Sequence, residues 1–278
     1  MKLPEAVTGC LSSAGIPIAK EDRTEPEGSF SLLLPGSRAI DAWRALSAIA
    51  DTTGLWPVVG GPPASPLTPA QLEFLAQFGP RASAGPKWSD ADRSRALNAA
   101  HALTPEALLA KWKVERTILP AGTTPLPFPS VAELAGPLAF LSRTLGLDLG
   151  EPRTPFVAPW NHGTRNFHEL VTLDLYPTRS PWEVPALIGF GGWNQCPLPE
   201  EHVVMLRTWH ERFDADLVAL TGDRIEVAVS RAPGTADDAR ALAAEQLGYC
   251  VDLLQGFSSP EELADTLLGL ACWSFWWD

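Results

Sequence analysis

Apolar positions recur along this chain with two different periods, and the alternation between those periods lays out the elements. Phe30 to Leu34 form a short apolar run that reads as a strand. From there Ala39, Ala42, Trp43, Leu46, Ile49 and Ala50 return at helical spacing, which places one apolar stripe on a helix that stops near Gly54. Residues 55–59, Leu-Trp-Pro-Val-Val, follow as a second strand. A strand–helix–strand unit of this length predicts parallel pairing through a right-handed crossover. Helix starts come next, at Thr68-Pro69 with Gln71, at Ser89 with Asp92 and at Thr104-Pro105, each with a hydroxyl that can accept a first-turn N–H. Ser130 with Glu133 predicts a capping box and a helix that continues to Gly146.

In the last third Val171, Leu173 and Leu175 alternate with Thr172, Asp174 and Tyr176, so a strand with one buried face is expected. The apolar run at 185–190, Pro-Ala-Leu-Ile-Gly-Phe, reads as a further, more fully buried strand. Pro199 and the acidic pair Glu200-Glu201 open a helix, with His202, Met205, Leu206, Trp209 and Phe213 on one face. Residues 215–221 and 224–230 read as strands joined by a hairpin at Gly222-Asp223. Thr235 with Asp238 caps a helix that carries its apolar stripe to Cys250, and a short helix over 260–270 leads to a terminal strand over 272–277. Strand, helix, strand, strand, helix, helix, strand is the split-βαβ order. The expected fold is therefore α+β: a C-terminal ferredoxin-like antiparallel sheet with helices on one face, preceded by a mixed, mainly helical region. A joint around 150–159 divides a Pro-rich N-terminal region, 1–150, from an acidic C-terminal domain, 151–278.

Charge sharpens this picture because it is unevenly placed. Residues 181–278 carry 16 acids against 5 arginines, a net of −11, while residues 1–180 carry 17 acids against 16 bases, a net of −1. A domain this acidic repels phosphate backbones and anionic lipid, so neither nucleic acid nor a membrane surface is an expected partner. A basic protein is. The apolar runs are all broken well short of the roughly 20 residues a membrane span needs. Cys10, Cys196, Cys250 and Cys272 lack CxxC spacing and are too sparse for a disulfide scaffold, which suits reduced thiols in a cytoplasm.

The C-terminal third also resembles a known family. The stretches GGWNQCPLPEEHVVMLRTWHERFDADLVALTGD, AEQLGYCVDL and the closing WSFWWD together are similar to the bacterial domain-of-unknown-function family 4253, over about residues 181–278. Where the family favours an aromatic followed by Gly after the first of these helices, this chain has Phe213-Asp214. The resemblance implies no activity, cofactor or catalytic residue.

Candidate chemistry is therefore read from the residues themselves. In the terminal strand Trp273, Phe275 and Trp277 share one face, while Ser274, Trp276 and Asp278 share the other. One face belongs to the core, so Trp276 needs either the N-terminal half against it or a pocket with aromatic walls. Gly191-Gly192-Trp193-Asn194 predicts a turn with positive φ, without the pattern of a phosphate loop. Cys250 or Cys196 with His210 or His202 would supply a thiol and a base, but no spacing selects a pair. His162 and His168 match no zinc motif, and neither a metal nor another cofactor is expected. The expectation is a non-catalytic protein-binding module that neutralises a basic partner such as a toxin or effector, with binding residues Trp193, Asn194, Glu200, Glu201, Trp276 and Asp278. The alternative is a hydrolase with a Trp-lined cleft between the halves, for which Cys250, Asp252 and His210 are the catalytic candidates, gathered with Asn194.

Overall fold

A computed structural model describes residues 2–63, 88–117, 155–161, 163–257 and 259–277. The helices expected after Thr68 and Ser130, together with His162 and Asp278, lie outside these. The elements in chain order begin with α1 (Glu5–Ser13), β1 (Lys20–Thr24), β2 (Ser29–Pro35), α2 (Ala39–Ser47), the short α3 (Ala50–Thr53) and β3 (Trp56–Gly61). Next come α4 (Asp90–Ala102), α5 (Pro105–Thr117), the two-residue strands β4 (Trp160–Asn161) and β5 (Asn166–Phe167), and β6 (Leu170–Tyr176). Then follow α6 (Val184–Ile188), α7 (Pro199–Phe213), β7 (Ala215–Leu220), β8 (Arg224–Val229), α8 (Ala236–Tyr249), α9 (Pro260–Leu267) and β9 (Cys272–Trp276).

One seven-stranded mixed sheet takes its strands in the order β1-β2-β6-β3-β7-β8-β9. This is larger than the expected ferredoxin-like sheet and mixed where that sheet was expected to be antiparallel, and two strand expectations fail. First, β2 and β3 do not pair with each other. The strand β6 lies between them, antiparallel to both, with Leu173 opposite Leu32 on one side and Val59 on the other. The two strands do run the same way, but the chain returns more than a hundred residues later to fill the gap, a separation that local pattern cannot reveal. Second, the run at 185–190 is not a strand. Residues 184–188 form α6, which Gly189 ends in the left-handed conformation at φ 71°. A short buried apolar run looks the same in either state, and here the flanking Pro and Gly decide it. The last carbonyls of α6 find side-chain donors from a distant segment: Trp88 Nε1 gives its proton to Ala186 O at 2.7 Å, and Arg93 Nε to Leu187 O at 2.7 Å.

The edges of the sheet differ. All of β1, Lys-Glu-Asp-Arg-Thr, is exposed and all but its threonine is charged, a composition that discourages pairing with another chain. At the opposite edge β9 is apolar, and its alternation resolves as expected: Trp273, Phe275 and Trp277 are buried, Ser274 and Trp276 half-buried. Trp209 of α7 stacks on Phe275 at 5.2 Å between ring centroids with the planes 13° apart, and Tyr249 of α8 meets Phe275 and Trp277 edge-on. This aromatic core fastens α7 and α8 to the end of the sheet, and their first and last turns frame the site described next.

Candidate functional site

A fully buried polar arrangement sits where α7 begins. Gly191 and Gly192, at φ 115° and 86°, and Asn194, at φ 47°, bend the chain between α6 and α7 through backbone space that glycine and asparagine tolerate best. A Cβ on Gly191 would stand 2.0 Å from the Pro197 carbonyl oxygen and 2.9 Å from His202 Nε2, so only glycine fits there. The bend brings Cys196 back over α7, with its Sγ 3.4 Å from His202 Nε2. On its other side His202 Nδ1 lies 2.5 Å from the Tyr249 hydroxyl at the end of α8.

Burial holds all three groups in their neutral forms at neutral pH. His202 is fully buried, and burial lowers its pKa to about 3 although a hydrogen bond to the Pro197 carbonyl works the other way. A carbonyl only accepts, so the nitrogen facing Pro197 carries the ring proton, and Nδ1 accepts from Tyr249. Burial pushes the Cys196 thiol up to about 12, with the Gly192 backbone opposing it. The imidazole is thus a neutral tie between α8 and the bend, and its Nε2 proton is on the side that would have to accept one from the thiol.

Directly outside this tie is a cavity of ≈ 670 Å³. Its walls come from α5, the bend, the first turn of α7 and the 3₁₀ turn after α8. Glu201 organises the floor. It is buried, one of its oxygens accepts the Leu198 N–H at 2.9 Å and so closes the start of α7, and the other accepts from Lys111 Nζ at 2.6 Å. Burial works against the Lys111 charge, but the bond to Glu201 prevails and the ammonium pKa stays above its ordinary value. Three carboxylates, Glu115, Glu201 and Asp252, stand in the walls with that single ammonium. Leu198 and Leu254 also line it, and they are two of the four large apolar side chains that stand exposed among the described residues.

Of the residues singled out from sequence, Asn194, Glu201 and Asp252 come together in this cavity. Trp193 is half-buried and meets Phe190 edge-on at 4.9 Å, and Glu200 borders a smaller hollow beside Trp88. Cys250 is buried, its thiol donating to the Trp276 carbonyl at 3.1 Å, and burial raises its pKa to about 11. His210 is engaged elsewhere: its Nδ1 is 2.8 Å from Asp216 and its ring lies against Trp182. Cys250, Asp252, His210 and Asn194 therefore do not assemble into one constellation. Trp276 lies beneath the Arg224 guanidinium, 5.4 Å from its ring. Lys111 and Trp112 escaped the sequence reading, because only the placing of α5 against α7 and α8 makes them part of the site. Glu226 escaped too. It is fully buried in β8, where burial raises its pKa against the pull of two backbone N–H groups, Val157 at 2.7 Å and Ala158 at 2.9 Å. Among the described residues no cluster of His, Cys, Asp and Glu is arranged to hold a metal, and no helix is long and apolar enough to cross a membrane.

Comparison with known proteins gives the region a family. Residues 172–278 match the model of DUF4253, a domain of unknown function. The match opens inside β6 and runs through the bend, α7, α8 and β9. It takes in every wall of the cavity except the one that α5 supplies. No curated protein and no solved structure matches the chain.

Proposed function

We propose that the chain is a binding module for a basic protein, which inserts a cationic side chain into the cavity beside Glu201. The observation that carries this reading is the cavity's own chemistry: an apolar lip of Leu198 and Leu254 around three carboxylates and one ammonium. A lysine or arginine suits such a place, since its aliphatic stem lies along the lip while its charge meets Glu115 and Asp252. The acidity of the surrounding region, net −11 over residues 181–278, would draw a basic partner in from a distance.

The test uses purified protein against basic proteins retained from a lysate and then identified and repurified. Charge reversal at Glu115 and Asp252 should weaken the complex about tenfold or more, with the far-ultraviolet circular dichroism unchanged. The same reversal at Glu261 and Glu262, in the first turn of α9, should cost much less. Equal losses for the two pairs would reduce the effect to general charge and remove the cavity from the account.

A hydrolase working in this cavity is the reading with less support. The approach of Cys196 to His202 favours it, and the high thiol pKa and the outward tautomer of the ring oppose it. Alkylation of Cys196 by iodoacetamide at pH 7 should accordingly be far slower than that of free cysteine. A rate at or above the free thiol's would reverse the order of the two readings.

A further inference from the structure

The cavity at the start of α7 already holds one ammonium, and the way it is held bears on what else can enter. Lys111 Nζ stands 2.6 Å from one oxygen of Glu201 and 3.8 Å from one oxygen of Glu115, so a single ammonium is shared by carboxylates of two elements, α7 and α5. The bond to Glu201 keeps that ammonium charged. Glu201 is thereby fully engaged, since its second oxygen takes the Leu198 N–H at 2.9 Å. In Asp252, on the 3₁₀ turn after α8, one oxygen takes the Gln255 side-chain amide at 3.2 Å. Each of the three carboxylates in the walls thus has at least one oxygen turned to a group of the chain itself.

That engagement matters differently to the two basic side chains. A guanidinium is a planar fork, and its strong pairing takes both oxygens of one carboxylate in parallel. None of these three carboxylates offers such a pair. An ammonium is a compact charge whose three donors point apart, and it collects single oxygens from separate residues, as Lys111 does. We infer that the cavity selects a primary ammonium over a guanidinium, so that the anchor of its basic partner is a lysine, and that Lys111 and Gln255 enforce the choice by engaging carboxylate oxygens. This rests on the cavity's reading as a cation site and adds which cation it takes. The lip of Leu198 and Leu254 suits the same choice, because the stem of a lysine is a plain run of methylenes.

The test titrates the full chain, labelled with nitrogen-15, with Nα-acetyl-lysine methylamide and with Nα-acetyl-arginine methylamide. Nuclear magnetic resonance follows the backbone amides of Gly192 and Val251, both in the cavity wall. The lysine compound should bind about tenfold tighter, the worth of one such hydrogen bond. Its Nε-trimethylated counterpart keeps the stem and the charge but has no N–H to give, and should lose most of that advantage. Lys111→Met releases Glu115 and one oxygen of Glu201, and Gln255→Ala, at an exposed position, removes the donor on Asp252. In both variants the arginine compound should gain on the lysine compound, and the Gln255 variant carries this arm if loss of Lys111 unfolds the chain. Equal or tighter binding of the arginine compound by the unaltered chain would overturn the choice of lysine while leaving the cavity a cation site. Undiminished binding of the trimethylated compound would overturn it too, for then charge alone is read. If the amide signals stay still with all three compounds at tens of millimolar, the cation site itself falls, and the inference with it.

Discussion

At the scale of single residues, the burial of His202 couples folding to acid. Folded, its imidazole stays neutral down to about pH 3; unfolded, it takes a proton near its ordinary value of 6.5. The folded pKa is depressed, so the stability linked to this site is complete above pH 6.5 and is lost as the pH falls towards 3. At about 1.4 kcal/mol per unit the loss reaches roughly 3 kcal/mol by pH 4. Urea denaturation at a series of pH values measures it, and the comparison is with His202→Gln. Glutamine offers an N–H to the Pro197 carbonyl and does not titrate, so the variant's stability should fall less steeply between pH 6.5 and 4. Parallel curves for the two proteins would show that His202 is not the group responsible.

At the scale of elements, the sequence was most informative where a signal is local. The capping box at Ser89 and Asp92 forms as the spacing predicts, as do the Thr235 cap, the hairpin between β7 and β8, and the split of the terminal strand into a tryptophan core face and a half-buried one. The positive φ values at Gly191 and Gly192 were legible for the same reason, since the requirement lies within the turn itself. What failed depended on distance. The helix at 184–188 is bounded by a local Pro and Gly, but the donors that cap its last carbonyls come from Trp88 and Arg93, nearly a hundred residues earlier. Likewise Glu201 was readable as a helix-start acid, but its bond to Lys111 crosses 90 positions of chain. The tie between His202 and Tyr249 joins two helices whose separate patterns say only that both residues face inward. Half of the candidate site was thus visible as types of residue, and its assembly was not.

At the scale of the whole molecule, the sheet draws on both ends of the chain. The strand β6 is flanked on both sides by strands from the first 61 residues, and β3 continues the sheet into β7 through the pairing of Val59 with Ala219. The register of β7 against β8 slips between Leu217 and Ala219, and the Leu217 carbonyl accepts the indole protons of Trp43 and Trp56, each at 3.0 Å. Residues 155–278 produced alone would lose both partners of β6 and both of these donors. That fragment should melt broadly and bind a hydrophobic dye, whereas the full chain should unfold in one sharp transition followed by circular dichroism. A fragment that melts as sharply as the full chain would show the C-terminal part to be a self-sufficient folding unit. The shared acceptor also bears on how this chain tolerates change. When either indole is replaced, the other still satisfies Leu217, so the first loss is cushioned and only the second strips the carbonyl bare. Such redundancy lets one tryptophan drift over generations while its twin keeps the joint intact, and it makes the order in which the two are lost matter less than whether both are.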